Sequence, residues 1–282
     1  LSIFLLLAIG MKGGVELARH SLLDLALPAA VVVGVALVIP LAAFRVLRVV
    51  GRLSQPDAAS IAAHYGSVSV VTFAVASSYL ASRALPADGY MTVFLALLEL
   101  PALLVGVFLA RRGQGAVRWK ALLHEVLAGK SIVLLAGGLL IGWLAGPQGI
   151  QPLDRVFFDL FKGMLAFFLL EMGLVAAGRL ADLRRAGPFL LIFAIGMPIC
   201  AGLLGLLTAR LLDFSVGNSI LLATLYASAS YIAAPAAMRI AVPEANPALS
   251  IGASLGVTFP FNLIAGIPLY HWLATYLKGA LA

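Results

Sequence analysis

Two short stretches of this chain place hydroxyls where a hydrophobic sequence has little use for them. Residues 64–69 read HYGSVS and residues 225–230 read LYASAS, so Tyr65, Gly66, Ser67 and Ser69 are echoed by Tyr226, Ala227, Ser228 and Ser230. Hydroxyls two residues apart diverge by about 200° on a regular helix and line up only where the backbone is extended or broken. A broken helix offers free N–H groups and a positive helix end, which together suit a small anion. The plainer alternative is that each hydroxyl bonds back to a carbonyl one turn earlier, or that small residues let helices approach closely. Recurrence at equivalent places favours binding, with Gly66 and Ala227 easing the break. No proline lies inside either motif, and Pro235 follows Ser230 by five residues.

A second constellation is suited to a cation. Glu99 stands in the middle of an apolar run two residues before Pro101, and Thr258 stands two residues before Pro260. A proline within a helix strips the hydrogen bond from the carbonyl four residues earlier, here Leu97 and Gly256. A carboxylate, two freed carbonyls, Thr258 and Asn262 form the oxygen set that a desolvated sodium ion requires, and an intramembrane carboxylate is costly enough to read as functional. Its alternative is a protonated acid bonded to nearby backbone. Glu171 reads equally as a buried pairing partner or a proton site. Lys12 and Lys162, near helix ends, read as snorkelling side chains, and His64 as a packing or hydrogen-bonding residue.

Other chemistries lack their residues. No histidine, cysteine and carboxylate set stands at metal-ligand spacing, so no metal beyond sodium and no cofactor is expected. GxGxxG and Walker patterns are absent, against ATP drive. No nucleophile, base and orienting group recur at workable spacing, so the chain does not read as an enzyme.

The elements that must position these groups follow from composition. Hydrophobic residues make up 62% of the 282 and charged residues 11%, with mean hydropathy +1.08, which places the chain in a membrane. Apolar runs predict nine spanning helices, roughly at 1–18, 22–44, 58–82, 89–111, 129–146, 159–178, 187–211, 217–238 and 249–277. The single cysteine, Cys200, reads as a small packing residue. The net charge of +7 comes without a basic patch interleaved with aromatics, so nucleic acid is not an expected partner. Lysines and arginines instead cluster at span ends. Assigned to alternate faces they divide twelve to seven of the 19, which puts Leu1 in the cytoplasm and the C-terminus in the periplasm. Polar residues crowd the 58–82 run, so that helix is expected to be enclosed by protein.

Internal repetition extends past the serines. FLLLAIGM (4–11) answers FFLLEMGL (167–174), and ELPALLVG (99–106) answers TFPFNLIAG (258–266). Three matches in one order, with Gly10 paired to Gly173, Ser67 to Ser228 and Glu99 to Thr258, indicate a duplication. An odd number of crossings between the copies gives them opposite orientation, the inverted-topology repeat of secondary transporters. The expected architecture is therefore all-α: a first inverted repeat at 1–111 with four visible helices, a cytoplasmic linker at 112–128, and a second repeat of five helices at 129–282. A tenth helix ahead of Leu1, where the chain begins without methionine inside an apolar run, would complete the symmetry.

YGSVSVVTFA (65–74), LELPAL (98–103), YASASYIAAPAAMR (226–239) and VPEANP with VTFPFN (242–262) together resemble the sodium-dependent bicarbonate permease family, in its broader bacterial branch. The resemblance implies ten helices in two inverted repeats, a homotrimer in the bacterial inner membrane, and symport of bicarbonate with sodium between two broken helices. It puts the anion at Ser67, Ser69, Ser228 and Ser230 with their backbone amides, and sodium near Thr72, Glu99 and Thr258. In the cyanobacterial members a small cytosolic regulatory protein docks on the cytoplasmic side. Those members have a serine and a glycine at Val71 and Val70, and an aspartate at Tyr231, so the site here is less polar. Their loop between repeats is also longer than residues 111–128.

Sodium-dependent symport of bicarbonate or a similar small monovalent anion is the leading expectation. Sodium/proton antiport or small-carboxylate uptake, with Glu99 and Glu171 as proton carriers, is the second. A membrane receptor or scaffold that binds the anion without moving it is the third.

Overall fold

A computed structural model describes residues 1–19, 22–112, 124 and 127–279, the side chains at 22 and 179–186 excepted. Arg118, Lys120 and most of the expected linker lie outside these residues. Within them every regular element is helical. In chain order, short 3-10 and π-helical turns at Gln151–Leu153 and Arg155–Asp159 apart, they are α1 (Ser2–Leu17), α2 (Leu22–Ala36), α3 (Val38–Val49), α4 (Gln55–Gly66), α5 (Val70–Ser82), α6 (Met91–Arg111), α7 (Lys130–Ile150), α8 (Phe161–Leu211), α9 (Val216–Ala227), α10 (Ala233–Ala241) and α11 (Pro247–Gly279).

Among the described residues, seven stretches are long and apolar enough to cross a membrane: Leu23–Val49, Gln55–Ser82, Met91–Arg111, Lys130–Leu153, Phe161–Gly178, Gly187–Leu211 and Pro247–Gly279. Each overlaps an expected span. The remaining two expected spans coincide with α1, 16 residues long, and with the α9–α10 pair, which is divided by non-helical backbone. Helix α8 runs through two expected spans and turns at Gly187, whose φ of 81° suits glycine and which Pro188 follows. Gly146, at φ 62° before Pro147, bends α7 in the same way.

Local structure repeats along with the sequence. Ser54 caps α4 by accepting from the Asp57 amide, and Ser215 caps α9 by accepting from the Asn218 amide, each at 3.2 Å. Both helices are 12 residues long, and both end at a serine in extended backbone, Ser67 (φ −90°, ψ 158°) and Ser228 (φ −80°, ψ 164°). The aligned glycines Gly10 and Gly173 do not share surroundings. A β-carbon on Gly10 would come within 2.6 Å of the Leu135 carbonyl oxygen on α7, whereas one on Gly173 would meet nothing within 4 Å. Small residues at 10, 14, 138 and 142 thus let α1 and α7 pack backbone to backbone.

Burial separates the helices. Of the most apolar window in Gln55–Ser82, 94% is buried, against 17% in Lys130–Leu153 and in Phe161–Gly178. The polar α4–α5 run is enclosed, as its composition required.

Candidate functional site at two crossed helix breaks

Both serine motifs interrupt their helices. Residues 67–69 separate α4 from α5, and residues 228–232 separate α9 from α10. No proline is needed, because side chains and the other break take over the orphaned backbone groups. Ser69 caps α5: its Oγ accepts from the Thr72 amide at 3.2 Å and from the Thr72 hydroxyl at 2.9 Å. Ser230 lies two residues before Ile232, the capping position of α10, and its Oγ accepts from the Ala234 amide at 3.2 Å.

The two breaks are joined to each other. The Ser69 amide donates to Ser228 Oγ at 2.9 Å, and the Ser230 amide donates to the His64 carbonyl at 2.8 Å. Ser228 Oγ donates in turn to the Leu225 carbonyl at 2.8 Å, and Ser67 Oγ to the Glu99 carbonyl at 3.3 Å. Helices α5 and α10 therefore both begin at the crossing, where their N-terminal dipole ends add.

Gly66 has a different task from the one expected. It remains helical, and a β-carbon there would lie 2.8 Å from Pro40 and Ala102, so its smallness admits neighbouring helices instead of easing the break. Tyr65 donates to Thr258 Oγ1 at 2.7 Å and packs edge-on against Phe193, ring centroids 5.0 Å apart. Tyr226 donates to the Val32 carbonyl at 2.6 Å. The tyrosines anchor the ends of α4 and α9 and do not present hydroxyls to the crossing.

Glu99 is 2% exposed, and its Oε2 has no hydrogen-bond partner among the described residues. It shares a cavity of about 10 Å3, the space of one water, with Ser69, Ser131, Ser230, Val70 and Tyr231. Thr72 is not in its wall but is tied to it through Ser69, whose Oγ accepts from both the Thr72 amide and the Thr72 hydroxyl. Thr258 and Asn262 are buried but committed elsewhere. Thr258 donates to the Ala194 carbonyl at 2.6 Å, and Asn262 Nδ2 donates to the Ala227 carbonyl at 2.8 Å, holding the last turn of α9. Both lie along α11, where π-helical turns at Gly252–Thr258 and Asn262–Gly266 flank Pro260. The missing proline N–H widens the helix there and redirects its side chains.

Every candidate residue but one is buried: Glu171 lies on an exposed face of α8, between Leu170 and Leu174, both more than half exposed. The structure does not bring it to the crossing. Ser131, by contrast, enters the cavity although nothing in its sequence context marks it. It is a lone serine at the start of an apolar run, and the packing of α7 on α6 places it.

His64, fully buried, donates through Nδ1 to the Ser60 carbonyl at 2.8 Å and stands in the wall of a second cavity of about 510 Å3 that Arg239 also lines. The rim of this cavity is tied down by Arg111, which binds Glu244 at 3.0 Å and the Ala241 carbonyl, and by Asp57, which accepts from the Asn246 amide at 2.7 Å.

A buried carboxylate, serines that accept from helix starts, and two helix N-termini thus meet at one point of a chain with several membrane-length apolar helices. No curated protein matches the sequence at a significant level. The sequence profile of a protein family does match, over residues 1–275. It describes transporters and not enzymes, and the chain belongs to this family, the Na+-dependent bicarbonate transporter superfamily.

Proposed function

We propose that the chain is a sodium-coupled symporter of bicarbonate or a similarly small monovalent anion, acting at the crossing of the two breaks. The observation that carries this reading is Glu99: an enclosed carboxylate whose Oε2 lacks a partner calls for a cation beside it. Sodium at Glu99, with Ser69, Ser131 and Thr72 near, offsets the charge of an anion held by the starts of α5 and α10 and by Ser230. Thr258 and Asn262 hold the surrounding helices and act on sodium through them. Val70 and Tyr231 leave few side-chain donors, so backbone amides carry most of the anion's hydrogen bonds. The cavity is too small for a trigonal anion, so loading requires the breaks to part. Neither ion sheds its water efficiently alone, which is the basis of coupling.

The wider architecture proposed is two inverted repeats around this crossing, nine passages in all, in a homotrimer of the bacterial cytoplasmic membrane with the C-terminus periplasmic. Uptake of labelled bicarbonate into proteoliposomes tests the function. Uptake is expected with an inward sodium gradient and not without one, and flux indifferent to sodium sinks symport. Antiport needs proton carriers, and of Glu99 and Glu171 the buried one is Glu99. A change of internal pH on adding sodium without bicarbonate is its signature, and saturable anion binding without flux is that of a receptor.

A further inference from the structure

Lys12 and Lys162 come from different helices, α1 and α8, yet both line one cavity of about 280 Å3. The hydroxyl-bearing Ser77, Ser78 and Thr92 stand in the same wall, Ser77 and Ser78 half-buried and Thr92 buried. Asp88 also contributes a carboxylate, but its Oδ2 accepts from Asn218 Nδ2 at 2.6 Å and its amide donates to Asn218 Oδ1 at 2.8 Å. Two exposed lysines therefore line a hydroxyl-bearing cavity beside one carboxylate, which Asn218 binds without neutralising, so the charged lining is net positive. Two positive charges on one cavity attract an anion that enters it. Low-dielectric walls strengthen the field and raise the local concentration of anions.

The cavity also leads towards the crossing. Ile9 and Ala74 line it and line a small apolar cavity beside it, and Val70 and Ile232 line both that apolar cavity and the one holding Glu99. A charged mouth, an apolar neck and the buried carboxylate thus follow one another through shared walls.

We infer that this cavity is a capture site for small monovalent anions, with Lys12 and Lys162 as its specificity-determining charges, feeding the site at the breaks. The inference rests on the reading that the chain moves such an anion, and its ligand is bicarbonate or another oxyanion of that size. The hydroxyls of Ser77 and Ser78 supply hydrogen bonds that replace part of the anion's hydration before it enters the neck.

Thiol labelling measures the field without depending on flux. In the reconstituted Cys200→Ser chain, Ser78→Cys is treated with methanethiosulfonate reagents of similar size, one sulfonated and one carrying trimethylammonium. Relative to a free thiol, the anionic reagent is expected to be favoured roughly tenfold. Lys12→Gln with Lys162→Gln should abolish that preference, and each single change should lower it. The double variant should also raise the KM for bicarbonate severalfold while kcat holds. Ser77→Cys serves if Ser78→Cys does not fold. No anionic preference, or a preference indifferent to the lysines, overturns the capture site while leaving symport standing. A lysine-dependent preference in a chain that moves no bicarbonate supports the capture site and overturns symport.

Discussion

The two breaks share a motif but not an electrostatic character. The first spans three residues, 67–69, and has Thr72 and Glu99 beside it; the second spans five, 228–232, and has Ala233 and Thr258 at the aligned positions. Ser69 accepts two hydrogen bonds where Ser230 accepts one from the start of its helix. The two motifs share what breaks a helix and differ in the charge beside it. On the function proposed above, the first break holds the cation and both breaks share the anion.

The largest test of that contrast compares Glu99→Gln with Thr258→Val. Half-saturation by external sodium should rise on the order of a hundredfold in the first, the loss of a charged ligand worth about 3 kcal/mol. In the second it should move within about threefold, while the thermal midpoint falls because Tyr65 and Ala194 lose their partner. Equal sodium effects would erase the distinction between the breaks.

A smaller effect separates the caps. Ser69→Ala should destabilise the detergent-solubilised protein by ~1–2 kcal/mol and Ser230→Ala by about 0.5 kcal/mol, read from thermal unfolding. The reverse order would mean that the second break carries the tighter cap.

The smallest test concerns the bond between the two halves at Arg111 and Glu244. Glu244 titrates below the ordinary glutamate value, first because its own backbone amide bonds to the carboxylate and then because of Arg111. A depressed folded value means the stabilisation is complete above the ordinary glutamate range and is lost as pH falls through the lowered value. Wild type and Glu244→Gln should therefore differ slightly in thermal midpoint near neutrality and converge in acid. A gap that persists in acid would show that the bond does not depend on the charge.

The breaks themselves were legible, because hydroxyls at i and i+2, found twice in apolar settings, share one side of the chain only where the helix is interrupted. Glu99 was legible for a similar reason: a carboxylate in the middle of a span must answer to something. What sequence could not supply was the outcome of packing. Thr258 and Asn262 sit next to Pro260 and read as sodium ligands, but widened turns aim them at Ala194 and Ala227. Whether Glu171 is enclosed depends on which face of α8 is covered. Ser131 is one hydroxyl without spacing, and Lys12 and Lys162 read as independent snorkelling residues until α1 and α8 set them on one cavity.

The hydrogen bonds that knit the breaks together also set an order of biosynthesis. The acceptor for the Ser69 amide is Ser228 Oγ, 159 residues later in the chain. At about 5–20 residues per second, the first break waits roughly 8 to 32 s for its partner to be made. During that interval its backbone polar groups sit at membrane depth with no acceptor from the second half, a state that hydrocarbon does not tolerate. The nascent first half must therefore stay hydrated or shielded at the insertion machinery until residues 225–230 emerge. The crossing closes only as a late, joint event of both halves.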